Sequence, residues 1–146
     1  MAGRKGDSAG TDYRLDDQVG YLLRLVSQRH ATIFQAHALY GLTPTQFAAL
    51  VRIREVGECS QNHLGRLAAM DVATIKGVAD RLRQKGLTIA KPDPTDKRRT
   101  LISLSAEGAR VVAEMLPVGH RITAETLEPL SAAEEKALTK ILRKLV

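Results

Sequence analysis

Apolar residues recur along the first part of the chain at Leu15, Val19, Leu22, Leu23, Val26, Ile33 and Phe34. Spacings of three, four and seven predict one long amphipathic helix over roughly Asp12 to Leu39, with Gly41 expected to end it. Thr43-Pro44-Thr45-Gln46 then reads as a helix start. Thr43 is a capping residue, Pro44 suits the first helical position and Gln46 completes a capping box. This second helix carries Phe47, Leu50 and Val51 and should stop near Gly57. Ser60 caps a short third helix with Leu64, Leu67 and Ala68 inward, and Asp71 caps a fourth with Ile75, Val78, Ala79 and Leu82 inward. A turn around Ala69 to Asp71 separates the two, a spacing that fits a helix-turn-helix.

Beyond Gly86 the period changes. Leu87 to Ala90 and Thr100 to Leu104 are β-compatible runs. Between them lies a hairpin tip rich in turn formers and charge, Asp93-Pro94-Thr95-Asp96-Lys97-Arg98-Arg99. Ser105 opens a fifth helix with Val111, Val112, Met115 and Leu116 apolar. Pro117 and Gly119 are expected to kink it, or to make it restart at Pro117. Ser131 with Glu134 forms a second capping box before a last helix that carries Leu138, Ile141, Leu142 and Leu145 on one stripe. The resulting order, α-α-α-α-β-β-α-α, is mainly α with a small β-wing: a winged helix-turn-helix between long N- and C-terminal helices. Residues 43–104 form the winged head, 12–42 and 105–146 a helical region, and 1–11 a polar, Gly-rich tail expected to be disordered.

Composition sharpens this picture in three ways. A 146-residue chain that is 44% hydrophobic has enough apolar surface for a real core, and with 3% aromatics and no Trp that core rests on aliphatic side chains. The net charge of +6 is concentrated: Lys76 to Arg99 holds eight basic and three acidic residues, a net +5. A cationic stretch on a helix and its neighbouring wing points to a polyanion, duplex DNA above all. The single cysteine, Cys59, excludes an intrachain disulfide, no apolar run approaches the roughly 20 residues of a membrane span, and the tail lacks the apolar segment of a secretory signal. A cytoplasmic protein is expected.

Three motifs carry a family resemblance. The run Asp80-Arg81-Leu82-Arg83-Gln84-Lys85-Gly86-Leu87, the wing Asp93-Pro94-Thr95-Asp96-Lys97-Arg98, and Leu101-Ile102-Ser103-Leu104-Ser105-Ala106-Glu107-Gly108 together resemble the MarR family of bacterial transcription regulators. The likeness runs from about Asp12 to Val146. The Arg14 to Gln35 region is also similar to members that control catabolism of aromatic and heteroaromatic acids. The resemblance implies a homodimer formed by the first helix and the last two, an operator that is an imperfect palindrome, and a small ligand or oxidant that loosens DNA binding.

On the outer face of the fourth helix, Thr74, Lys76 and Arg81 are the candidate DNA contacts. Thr74 suits a phosphate or a thymine edge, and Lys76 a guanine edge or a phosphate. Family members often carry a basic residue where this chain has Gly77, so DNA shape is expected to contribute more to recognition here. In the wing, Lys97, Arg98 and Arg99 are candidates for the minor groove. The family's stiffening Asp-Arg pair matches Asp96 and Arg98, and Thr95 stands where members carry an arginine at the tip. Tyr21, Arg24 and Gln28 share one face of the first helix. Arg24 has the fork that grips a carboxylate, and with Phe47 and Met70 as walls for a flat ring the group reads as an effector site for an aromatic acid. Taken one at a time, these residues are better read as ordinary core and dimer contacts.

No metal or cofactor is expected: His30 and His37 are two helical turns apart, and no tight His/Cys/Glu cluster is evident. Glycine-rich phosphate loops, G-x-S-x-G and H-E-x-x-H are absent, which argues against an enzyme. The reading is therefore a ligand-responsive dimeric repressor. Its alternatives are a ligand-independent architectural DNA-binding protein, a protein-interaction module, and a redox-sensing regulator that uses Cys59.

Overall fold

The computed structural model describes residues 12–146, so the expected tail lies outside the described residues. A 3-10 turn at Leu15–Asp17 precedes α1 (Val19–His37). There follow α2 (Pro44–Val56), β1 (Glu58–Ser60), α3 (Gln61–Leu67), α4 (Val72–Gln84), β2 (Thr88–Pro92), β3 (Thr100–Leu104), α5 (Ala106–Leu127) and α6 (Ala132–Lys144). The fold is a winged helix-turn-helix set on long helices. Its sheet has the order β1-β3-β2, antiparallel throughout, with Cys59 opposite Ile102 and Ala90 opposite Ile102 on the other side.

The caps fall where the sequence places them. Thr43 and Gln46 close a reciprocal capping box, as do Ser131 and Glu134, while Ser60 and Asp71 accept from the amides of His63 and Thr74. Each satisfies an N-terminal donor that the helix leaves orphaned.

Five boundaries differ from the sequence expectation. The first helix is not continuous from Asp12. Gln18 is extended, and its side-chain amide donates to the Arg14 carbonyl at 2.9 Å. Asp16 and Asp17 are weak helix formers, and Leu15 and Val19 are not part of the buried core, being 54% and 64% exposed. At its other end α1 stops at His37, ahead of Gly41. The Leu39 amide is drawn to the Met115 sulfur, and Tyr40 and Gly41 both take left-handed backbone angles that turn the chain into α2.

A third strand, β1, is present; three residues are too few to show an alternating pattern. The second strand runs to Pro92 rather than Ala90, which an edge strand tolerates because the missing amide faces away from the ladder. Finally, α5 runs unbroken through Pro117. Pro117 and Ala113, whose carbonyl loses its partner, both lie on the exposed face, where solvent can reach that oxygen. Met115, Val118 and Ile122 on the opposite face are buried and hold the helix against the core.

One continuous core joins head and long helices. It includes Ile33 and Phe34 of α1, Leu50 and Ile53 of α2, Leu64 of α3, Ile75 and Leu82 of α4, and Val111, Val112, Met115 and Ile122 of α5. Two glycines set how closely the parts approach. A Cβ at Gly108 would lie 1.9 Å from the Leu87 carbonyl oxygen, and one at Gly119 would lie 3.2 Å from the Phe47 ring. By contrast a Cβ at Gly77 meets nothing within 4 Å. Gly108→Ala is expected to cost about 3 kcal/mol or more by overpacking against backbone. Gly77→Ala should instead stabilise the fold by about 0.5–1 kcal/mol through helix propensity. Urea unfolding midpoints at fixed protein concentration distinguish the two; equal effects would refute the packing account.

Candidate nucleic-acid interface

The α4 helix buries Ile75, Val78, Ala79 and Leu82 and leaves Val72, Ala73, Thr74, Lys76, Gly77 and Arg81 exposed. Its start is rigidly defined. The Asp71 carboxylate accepts from the Thr74 amide at 2.7 Å, and that bond holds the carboxyl below its usual pKa. The exposed face looks into a hollow of about 300 Å³ shared with Thr43, Thr45 and Gln46 at the start of α2. Thr74, Gly77 and Arg81 all line it. Lys76 stands outside it on the same exposed helix surface.

At its far end α4 is tethered. Lys85 donates through Nζ to the carbonyls of Tyr40 at 3.0 Å and Gly41 at 3.4 Å. The Tyr40 hydroxyl in turn meets the Glu114 carboxylate of α5, and Arg110 donates to the same hydroxyl at 3.2 Å. These contacts push Glu114 below the usual carboxylate range, through the Tyr40 hydroxyl first. Arg110 is pushed up, mainly by its bond to Glu107. The left-handed Tyr40–Gly41 turn thus links the end of α4 to α5.

The wing tip carries Lys97, Arg98 and Arg99, all exposed. Asp96 accepts from the Arg98 amide at 3.0 Å, and its carboxylate lies 3.9 Å from the Arg98 guanidinium. The tighter brace is one the sequence reading passed over, Asp93. It is buried, accepts from the Thr95 amide at 2.8 Å and hydroxyl at 2.7 Å, and lies 4.0 Å from Arg99. Its own amide donates to the Arg99 carbonyl at 3.0 Å. The Asp-Pro-Thr order was the available signal, because an aspartate that bonds the backbone two residues on is an Asx turn.

The candidate effector residues are dispersed. Arg24 and Gln28 are exposed on α1 and Tyr21 is half-buried there. Phe47 packs against Phe34, with ring centroids 6.2 Å apart, and against Gly119. Met70 lines a separate hollow in the head, with Gly65, Asp71 and Ile75. Residues the sequence reading did not select surround an apolar hollow of about 330 Å³ where α1 meets the following turn, among them Ala31, Phe34, Gln35, Ala38 and Leu42. Ala31, Gln35 and Ala38 continue the helical stripe of Tyr21, Arg24 and Gln28 at spacings of three and four.

His30 and His37 each reach α5, through Thr126 and Glu125, rather than each other. Cys59 is buried in β1, and burial pushes its thiol up, away from the reactive thiolate. No described helix is long and apolar enough to cross a membrane.

Hydrogen bonds from Thr95 hold the Asp93 carboxyl below the ordinary value of 3.8. A carboxyl depressed in the folded state stabilises it fully above that value, and the stabilisation is lost as pH falls through the lower, folded-state pKa. The Asp93–Thr95 turn is therefore expected to hold at neutral pH and to open only below about pH 4. In Asp93→Ala, trypsin should cleave at Lys97 to Arg99 several-fold faster at neutral pH, with global unfolding little changed. Cleavage at the wild-type rate would show that the turn does not depend on this brace.

Comparison with known proteins agrees with this geometry. The MarR family profile matches residues 42–100, the winged head. The chain is 38% identical over 93% of its length to the HTH-type transcriptional repressor NicR of Pseudomonas putida, covering 87% of that protein. A solved structure of a probable transcriptional regulator from Pseudomonas aeruginosa is 49% identical, with a TM-score of 0.89 over 91% of this chain and 100% of that one. Bordetella bronchiseptica BpsR, whose DNA binding is regulated by 6-hydroxynicotinic acid, is 39% identical, with a TM-score of 0.87 over 91% of this chain and 96% of its own. This chain belongs to the MarR family of transcriptional regulators.

Proposed function

We propose that the protein is a homodimeric repressor of the cytoplasm that binds a palindromic operator and is released by a small aromatic or heteroaromatic carboxylate. The observation that carries this reading is the division of the surface. One end presents the outward face of α4 beside a cationic wing. The other presents uncovered apolar side chains on α1 and α6, the two helices at the chain's ends. Leu22, Leu23, Leu25 and Val26 of α1 are exposed, α6 has no buried residue, and Ile141, Leu142 and Leu145 stand in solvent. Apolar side chains left uncovered in such number mark an interface. Covering it with a second copy makes residues 12–42 and 105–146 the dimerisation region and sets two heads side by side.

In this arrangement each α4 enters a major groove, with Thr74, Lys76 and Arg81 at base edges and phosphates. Each wing reaches a flanking minor groove through Lys97, Arg98 or Arg99, and Asp96 and Asp93 stiffen it. Gly77 leaves a gap on the reading face, so sequence-dependent DNA shape contributes to the choice of site.

For the effector, the stripe Tyr21, Arg24, Gln28, Ala31, Gln35, Ala38 leads into the 330 Å³ hollow, a volume suited to a single ring. Arg24 lies about 10 Å along the helix axis from Ala31, on the same stripe. It is the candidate for the carboxylate, with the ring held near Phe34 and Phe47. Such a ligand would bear on the Gly41–Pro44 turn, and through Lys85 on the end of α4. The regulation of BpsR by 6-hydroxynicotinic acid supports this chemistry, and the repressor NicR supports the direction of control. Met70 lies apart, in the head.

Sedimentation at micromolar concentration is expected to show a dimer, and Leu142→Asp to shift it toward monomer. Affinity for a duplex selected from a random library should fall roughly a thousandfold or more between about 50 and 200 mM salt, as condensed counterions are released. A dilute monomer, or no duplex binding at low salt, would overturn the reading. Calorimetry with benzoate- and nicotinate-type acids should give saturable binding that Arg24→Ala weakens at least tenfold through loss of the charge-assisted fork. Heats indistinguishable from dilution across the panel would remove the effector.

A further inference from the structure

A polar hollow of about 440 Å³ separates the start of α3 from the Arg98–Thr100 side of the wing. Asn62 and Arg66 form its α3 side, and Arg98 and Arg99 its wing side. Three arginines therefore line one cleft. The two from the wing have carboxylates at the margin of ion-pair distance: Asp96 lies 3.9 Å from Arg98 and Asp93 lies 4.0 Å from Arg99. The Arg66 side chain is exposed and makes no ion pair or hydrogen bond with the described residues. Asn62 and Arg66 also line the adjoining hollow whose other wall is Asp71 and Val72, the cap and first residue of α4. These two side chains thus stand on the ridge between the recognition helix and the wing.

That position has a consequence in duplex geometry. A major groove and its neighbouring minor groove are divided by one sugar-phosphate strand. A head that puts α4 into the first groove and the wing into the second must let that strand pass between them. We propose that Arg66, assisted by Asn62 and Arg99, seats a phosphate of this dividing strand. The proposal rests on the DNA-binding reading above and names a contact within it. Arginine suits the task, because its planar fork meets two phosphate oxygens at once and keeps its charge at any physiological pH. The seat carries no base information; it sets how far the wing can follow the groove once α4 is docked.

Fluorescence anisotropy on the full-length protein tests this, with a duplex selected by the wild-type chain from a random library and an unrelated duplex of equal length. Arg66→Ala should weaken binding roughly tenfold to both duplexes and leave the ratio between them unchanged. It should also lower the slope of log K against log salt by about 2 for the dimer, one contact per protomer. Arg66→Lys, which keeps the charge and loses the fork, should restore the slope and only part of the affinity. Inorganic phosphate added at constant ionic strength should not compete measurably; saturable competition would assign the cleft to a free anion instead. Wild-type affinity and slope in Arg66→Ala would overturn the seat while the DNA-binding reading stands, and failure of the wild type to bind either duplex would overturn that reading itself.

Discussion

The position of the recognition helix depends on a single backbone-to-backbone approach, where α5 begins against the end of the head. Ser105 donates through its amide to the Leu87 carbonyl at 3.0 Å and through its hydroxyl to the Gly86 carbonyl at 2.6 Å, while the same hydroxyl caps Gly108. Gly108 has no room for a side chain over that Leu87 oxygen. The turn that ends α4 is therefore bonded directly to the first turn of α5. With the continuous core beneath it, this joint makes the head an extension of the long helices rather than a module on a tether. Packed interiors transmit small displacements because they cannot absorb them. In the proposed dimer, a change in how the two copies meet reappears as a change in where the two α4 helices stand.

A second connection runs in parallel on the surface. Lys85, the Tyr40–Gly41 turn, Glu114 and Arg110 form a chain of exposed polar contacts from the end of α4 to α5. Exposed pairs of this kind add little to stability. Their position matters more than their strength, because the same turn carries Gly41 and Leu42 of the apolar hollow. A ligand there would press on a segment whose carbonyl oxygens hold the recognition helix. Between states that differ by a few kcal/mol, a modest preference for one is enough to shift the population.

The charges of the head are arranged with comparable economy. The carboxylates of Asp93 and Asp96 spend much of their capacity on backbone amides of the wing, not on guanidinium groups. The loop is stiffened without neutralising the arginines that flank it. Asp71 does the same at the start of α4. Asp71, Asp93 and Asp96 thus shape the backbone, while Asp80 and Glu58 pair with Arg83 and Lys91.

Local chemistry made much of this legible beforehand. Capping boxes at Thr43 and Ser131, the caps at Ser60 and Asp71, and the helical periods of α4 and α5 depend on neighbours within four residues, so the sequence alone determined them, and with them the winged helix-turn-helix order. What needed the folded chain was whatever depends on distant partners. Pro117 breaks no helix because the opposite face is held by the core. The first helix ends at His37 because Met115 and Glu114, far along the chain, capture the next residues. Glu58 to Ser60 becomes a strand only because β3 lies beside it. The grouping of Arg66 with Arg98 and Arg99 joins positions more than thirty residues apart, which no local period records. Short-range hydrogen bonds and side-chain spacing are written in the order of residues; close approach across the core exists only once the chain has closed on itself.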